Sequence, residues 1–129
     1  MHMRGRWKMA LQPSKRPLKL PTRAQFLQAL KRVPMPQGRQ LDFLREHVQA
    51  PGRALNARRL AQSAGYKSHD GINLQYGLLA RRIGEAIGRN GADLTLLVDF
   101  IRPPSVTNAE WIMVMHPQFA EALKQAGWV

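Results

Sequence analysis

One long segment of the chain carries apolar residues at helical spacing, and it constrains the fold more than any other feature. Between Ser68, a candidate N-cap, and about Ile87, the apolar positions recur at steps of four and three: Ile72, Tyr76, Leu79, Ile83 and Ala86 or Ile87. Because an α-helix turns once every 3.6 residues, these positions share one face. The segment therefore predicts an amphipathic helix, with Gly77 and Gly84 on its exposed or partner-facing side.

A shorter predicted helix, Ala57–Ala64, precedes this segment and ends at a glycine. The small Ala61 lets the next helix approach closely, and Gly65 supplies the sharp turn between the two, as in a helix-turn-helix. In the common form an aliphatic residue follows six positions after that glycine, but here the position is Gly71 and the aliphatic residue is Ile72. The spacing predicts a turn about one residue longer than usual, which favours a winged-helix variant. Plain helical hairpins also place Ala and Gly in this way.

The rest of the chain reads as shorter elements around this pair of helices. Caps and breakers predict further helices from Thr22 to about Val33, over Arg39–Gln49, and from Pro117 to the residues before Gly127. Two strand-like runs, Leu94–Ile101 and Glu110–Met115, flank a hairpin loop at residues 102–108. We therefore expect a mainly α domain with a small β-hairpin, helix-turn-helix or winged-helix-like, over residues 22–129.

Positive charge is concentrated before this domain. The formal net charge is +12, yet the first acidic residue is Asp42, and ten cations precede it. Residues 1–21 also contain three prolines and no sustained period. Such a segment predicts an extended basic arm rather than part of a core, and a surplus of this size draws a protein toward polyanions.

Composition excludes several classes of protein. The chain has no cysteine, so disulfides, thiolate zinc sites and cysteine nucleophiles are excluded, in keeping with a reducing compartment. No run of about 18 apolar residues predicts a membrane span, and prolines and charges break the stretch where a signal peptide would need its apolar region. We expect a cytoplasmic protein, on the nucleoid if the source is bacterial.

Catalytic patterns are missing from the sequence. The four histidines are widely spaced, and no His-Glu-x-x-His, P-loop or Gly-x-Ser-x-Gly motif occurs. His47, beside Glu46 on a predicted helix, is expected at the surface or at its boundary, and Tyr66, Tyr76 and Trp111 are expected in the core. We predict no enzyme activity, no metal and no cofactor.

The candidate binding residues follow from the predicted pair of helices and from the arm. The first turns of the helix after Ser68 present short polar groups that can reach base edges in a groove. The base-proximal candidates are Ser68, His69, Asn73 and Gln75. The candidates for phosphate contacts are Arg4, Arg6, Lys8, Lys15, Arg16, Lys19, Arg58, Arg59, Lys67, Arg81 and Arg82. For Ser68 the alternative explanation is a helix cap, and for Asn73 and Gln75 it is a solvated surface side chain. Asp70, beside them, is explained by the favourable position of a negative charge at a helix N-terminus.

Three short strings resemble a known domain: Ala-Gly-Tyr-Lys at 64–67, Asn-Leu-Gln-Tyr-Gly at 73–77 and Gly-Trp-Val at 127–129. Over about residues 39–129 the chain resembles a DNA-recognition accessory domain found attached to HNH restriction endonucleases, including ones that act on modified DNA. The histidine- and asparagine-rich nuclease part has no counterpart in this sequence. The resemblance implies a DNA-recognition module, selective for sequence or base modification, and a nuclease partner.

Charge, the predicted pair of helices and the resemblance together predict a module that binds nucleic acid, in the first place double-stranded DNA. Two alternatives stay open: an adaptor that binds a protein through its winged-helix surface, and an RNA-binding protein, since a basic arm does not distinguish RNA from DNA. The sequence leaves the oligomeric state open.

Overall fold

A computed structural model describes residues 19–102 and 111–129. Along the chain these residues form five α-helices, two short 3₁₀ turns and three strands. The helices are α1 (Arg23–Arg32), α2 (Arg39–Gln49), α3 (Ala57–Ala64), α4 (His69–Ala86) and α5 (Pro117–Gln125). The strands are β1 (Ala54–Asn56), β2 (Val98–Ile101) and β3 (Ile112–Met115), and the 3₁₀ turns are Pro51–Arg53 and Leu94–Leu96.

The predicted helices are confirmed, and side chains at their ends explain the boundaries. Helix α1 begins with a capping box, in which the Gln25 amide donates to Thr22 Oγ1 at 3.1 Å and the Thr22 amide donates to Gln25 Oε1 at 2.9 Å. Helix α5 is followed by Ala126 as its C-cap and by Gly127, which has a positive φ, and Trp128 folds back until only 4% of it is exposed. The mainly α character with a small β-hairpin is therefore confirmed.

The β structure is a three-stranded antiparallel sheet in the order β1-β3-β2. Leu55 is paired with Met113, and Val98 with Met115. The sequence analysis missed β1, and only the second half of the run Leu94–Ile101 is a strand. Its first half is a 3₁₀ turn, because the Asp93 carboxylate accepts the Thr95 amide at 2.9 Å and caps it. The order helix-strand-helix-helix-strand-strand from α2 to β3 is that of a winged helix.

The core lies between the sheet and all five helices. Phe26 of α1 packs on Phe119 of α5 with ring centroids 5.2 Å apart, and Phe43 of α2 packs on Tyr76 of α4 at 4.8 Å. Tyr76 is fully buried as predicted, while Tyr66 and Trp111 are only half-buried. Pro21 is also buried, so the chain packs against the domain from that point onward.

His47 was expected near the surface, and that expectation is wrong. Its side chain is fully buried between α2, α4 and β3. Nε2 lies 2.8 Å from the Met113 carbonyl oxygen, which can only accept, so Nε2 carries a proton and donates it. Burial lowers the pKa of His47 to about 4, which keeps the ring neutral. Nδ1 is therefore an acceptor, and the Tyr76 hydroxyl donates to it at 2.6 Å.

Gly84 was expected on the exposed or partner-facing side of α4, where it could admit close approach of backbone, and it is buried under the turn that follows the helix. A Cβ atom at this position would lie 2.6 Å from the Arg89 carbonyl oxygen and 2.7 Å from Ala92 Cβ. The turn that follows α4 folds back over the helix here, so the glycine is required by close approach.

Candidate nucleic-acid interface

Helices α3 and α4 form the predicted helix-turn-helix. Helix α3 is capped by Asn56, whose side chain accepts the Arg59 amide at 2.8 Å. It ends at Gly65, which has a φ of 79°, a conformation that glycine adopts without steric cost. The Tyr66 amide then donates to the Ala61 carbonyl at 2.8 Å and closes the turn. Ala61 is 3% exposed, which is consistent with the close helix approach that the sequence suggested.

The unusual spacing after Gly65 has a physical reason in the Tyr66 side chain. A Cβ atom at Gly71 would lie 3.1 Å from Tyr66 Cδ1, so the tyrosine ring rests against the first turn of α4 where that helix has no side chain. Ile72, one position later, enters the core and is fully buried. The Arg39 guanidinium lies 5.6 Å from the centroid of the same ring. The turn is thus held between α2 and α4.

The exposed face of α4 lies opposite the stripe of Ile72, Tyr76, Leu79 and Ile83. At about 100° per residue, this face carries Asp70, Leu74, Leu78, Arg81 and Glu85. Leu74 is 59% exposed and Leu78 is 38% exposed. The sequence analysis gave neither leucine a role, although helical spacing places both opposite the buried stripe.

The four predicted base-proximal residues divide into two pairs. Ser68 is exposed and is the N-cap residue of α4, although its side chain makes no capping hydrogen bond. His69 follows it, with Nε2 3.4 Å from Asp70 Oδ1. These two side chains lie at the start of the helix.

The other pair lies on the flanks of α4. Gln75 Oε1 accepts a hydrogen bond from Gln40 Nε2 at 2.9 Å, which ties α4 to α2. Asn73 Oδ1 is buried and has no hydrogen-bond partner among the described residues. A two-point contact with adenine needs both ends of the Asn carboxamide, so this side chain would have to turn to make one. Their roles in base recognition stay predictions.

The predicted phosphate-contacting residues divide by their place in the chain. Arg4, Arg6, Lys8, Lys15 and Arg16 lie outside the described residues. The remaining six are exposed: Lys19, Arg58, Arg59, Lys67, Arg81 and Arg82. Residues 57–86, which span the helix-turn-helix, contain five cations against two acids, Asp70 and Glu85. The pair of helices therefore has its own net charge of +3, separate from the charge of the arm.

The hairpin of β2 and β3 forms the wing. Phe100 and Trp111 stack edge to face with centroids 6.0 Å apart, and the exposed Arg102 lies 5.2 Å above the Trp111 ring. The predicted hairpin loop lies outside the described residues except for Arg102, which follows β2. The stacking holds one cation, Arg102, at the base of the wing.

A cleft beside β2 brings together charged and polar side chains at the end of α4. It is lined by Lys19, Arg89, Asp93, Asp99 and His116, among others. Asp93 caps the 3₁₀ turn, and His116 Nε2 donates to the Thr95 carbonyl at 3.0 Å, so both side chains have structural partners. Within residues 19–102 and 111–129, no three His, Asp or Glu side chains are grouped closely enough to hold a metal ion.

None of the helices in the described part of the chain is both long enough and apolar enough to cross a membrane.

The resemblance to the restriction-associated domain rests on the three strings at 64–67, 73–77 and 127–129. Comparison with known proteins finds no matching family model, no matching curated protein and no matching solved structure.

Proposed function

We propose that this protein is a module that binds double-stranded DNA, with α4 entering or bordering the major groove. One observation carries the proposal: α3 and α4 form a helix-turn-helix, closed at Gly65, whose exposed side is bordered by Lys67, Arg81 and Arg82. A major groove about 12 Å wide admits a single helix between two rows of phosphates. The exposed side of α4, with Lys67 before its first turn and Arg81 and Arg82 near its end, suits that groove.

The arm, residues 1–21, supplies most of the attraction to DNA in this proposal. Six of the chain's twenty cations lie in the arm without one acid among them. Each cation that neutralises a phosphate releases condensed counterions, so binding weakens as the salt concentration rises. The arm therefore contributes affinity without sequence preference, and α4 contributes the choice of sequence.

Replacing the six arm cations by Gln in the full chain should weaken binding to duplex DNA at least tenfold at about 150 mM salt. These cations are Arg4, Arg6, Lys8, Lys15, Arg16 and Lys19. The slope of log affinity against log salt should become shallower by about 0.9 for each phosphate contact that is lost. Fluorescence anisotropy over a salt series measures both quantities.

A control variant replaces Lys31 and Lys124, two exposed cations on α1 and α5, by Gln. For each charge removed it should reduce the salt slope far less than the arm variant does, because these residues lie outside the proposed interface. An equal reduction per charge removed in both variants would make the effect one of net charge alone. An unchanged slope in the arm variant would remove the arm from the interface.

The leucines on α4 favour a second candidate function, a protein-interaction adaptor. Leu74 and Leu78 form an apolar pair on a helix face that nothing in the described chain covers. In that case purified protein would bind DNA only in a salt-labile manner, equally on all sequences. A binding selection on random duplexes, modified and unmodified, separates the two functions, and a duplex RNA competitor tests the RNA alternative.

The resemblance adds two further proposals, a preference for modified bases and a nuclease partner. A nuclease that co-purifies with the full chain, or is encoded beside it, would support the second. A DNA-binding role places the protein in the compartment that contains the DNA, which in a bacterium is the cytoplasm.

A further inference from the structure

Two large apolar side chains stand exposed on the one face of α4 that the fold leaves uncovered. Leu74 is 59% exposed and Leu78 is 38% exposed, and they lie one helical turn apart. Single exposed leucines are ordinary on protein surfaces. Two neighbours at the centre of the face proposed to meet DNA define an apolar contact surface, the Leu74–Leu78 pair.

The chemistry of the major groove limits what this pair can contact. Leucine neither donates nor accepts a hydrogen bond, so it cannot read the polar edges of G, C or A. Among the four bases, only thymine presents an apolar group in the major groove, its 5-methyl group. An apolar side chain that reaches the floor of the groove is therefore matched by thymine alone.

We propose that the Leu74–Leu78 pair reads the 5-methyl groups of thymine in the bound duplex. The inference rests on the proposed function, and it moves the centre of base reading from the polar residues at 68, 69, 73 and 75 to this pair. The geometry of the predicted residues agrees with this shift, because Gln75 is bonded to Gln40 and Asn73 Oδ1 is buried.

Charges around the pair favour DNA over a second protein as the occupant. Lys67 lies before the first turn of α4, and Arg81 and Arg82 lie one turn beyond Leu78. In a major groove, the apolar pair would contact methyl groups on the floor. The cations at its two ends would contact phosphates along the edges. The two acids of the face lie at its ends, where Asp70 is 3.4 Å from His69 and Glu85 is one turn beyond Arg81.

Helical geometry also sets the spacing of the bases that are read. Residues four apart on a helix are separated by about 6 Å along its axis, and stacked base pairs are about 3.4 Å apart. The pair thus spans at most about two base steps, and about one step where the helix is inclined to the DNA axis. A selected site should be enriched in thymine at two positions one or two steps apart.

The test replaces thymine by deoxyuridine, which lacks only the 5-methyl group. A duplex obtained by selection with the full chain is resynthesised with deoxyuridine at one thymine at a time, and its affinity is measured by anisotropy. Each methyl group that the pair reads should contribute about fourfold to affinity, the factor that follows from burying one group of that size. Leu74→Ala and Leu78→Ala should each make the protein indifferent to deoxyuridine at one position.

Met35→Ala is the matched control, because Met35 is a 50% exposed apolar residue outside α4, and it should keep the discrimination. Selected duplexes that bind equally well with thymine and deoxyuridine at every position would overturn the inference while leaving DNA binding intact. Equal binding to all sequences would instead refute the proposed base reading as a whole. Self-association that is lost in Leu74→Ala, seen by sedimentation, would show that a second copy covers the face and would also overturn the inference.

Discussion

The protein is expected to lose about 3 kcal/mol of its free energy of unfolding as the pH falls from 7 to 4, because His47 is buried in its neutral form. Burial lowers the pKa of His47 in the folded protein to about 4, whereas a histidine in an unfolded chain titrates near 6.5. Between these values the unfolded chain binds a proton that the folded protein does not accept. Each unit of pKa difference corresponds to about 1.4 kcal/mol, and the part of the difference expressed between pH 7 and pH 4 gives the expected loss of about 3 kcal/mol.

The sign of the effect follows from the direction of the pKa change. Above about pH 6.5 both states hold His47 neutral, so its contribution is fully present. As the pH falls toward 4 the unfolded state gains protons and is favoured, so the free energy of unfolding declines across this range. Burial is the largest cause of this lowered pKa: the backbone hydrogen bonds of Met113 and Arg53 raise the pKa of His47, and the charge of Arg53 lowers it.

Urea unfolding followed by circular dichroism at pH 7 and pH 4 measures the loss. His47→Gln removes the titrating group, so the difference between the two pH values should shrink by about 3 kcal/mol in this variant. Wild type and His47→Gln losing the same free energy would refute the assignment. Protonation elsewhere changes both proteins alike and cancels in the comparison.

The hydroxyl of Tyr76 allows a second test of the buried His47, through the hydrogen bond that it donates. Tyr76→Phe leaves His47 Nδ1 as a buried acceptor without its donor, at a cost of about 1–3 kcal/mol at pH 7. Tyr66→Phe is the matched control on the chain's other tyrosine, whose ring is half-buried, and it should cost less. Equal losses in the two variants would mean that the Tyr76 hydroxyl does not support His47.

The helices were predictable because their signals are local. The stripe from Ile72 to Ile83, the caps at Thr22 and Asn56, and Gly65 each act within a few residues, so the sequence alone indicates where the helices begin and end. The sequence also showed that Gly71 stands where the common helix-turn-helix has an aliphatic residue. Its cause, the Tyr66 ring lying on the helix, could be seen only in the structure. Helix α4 could therefore be proposed as the reading helix before the structure.

What could not be predicted depends on distant partners. Strand β1 has only three residues, too few to show alternation, and it exists because β3 pairs with it. His47 follows Glu46 and looks like a surface residue, but its partners lie 29 and 66 residues away. Of the polar residues predicted to read bases, Gln75 turned out to be bonded to Gln40, another partner that local sequence does not reveal.

Gly84 and Gly77, one heptad apart on α4, are expected to respond to alanine in opposite directions. Alanine is favoured over glycine within a helix by about 1 kcal/mol. At Gly77 no atom lies within 4 Å of the added Cβ, so Gly77→Ala should stabilise the protein by up to about that amount. At Gly84 the added Cβ meets the Arg89 carbonyl oxygen at 2.6 Å and Ala92 Cβ at 2.7 Å, distances that real Cβ atoms essentially never show.

The clash at Gly84 cannot be relieved by rotating a side chain, because one of the two atoms is backbone and the other is a Cβ. The turn after α4 would have to move, although the Arg89 amide donates to the Gly84 carbonyl at 2.7 Å and holds it in place. Overpacking of this kind costs about 1–3 kcal/mol or more, which outweighs the gain in helix propensity. We expect Gly84→Ala to lose about 2 kcal/mol in urea unfolding, while Gly77→Ala gains. Two variants of equal stability would contradict the close approach of residues 89–92 to α4.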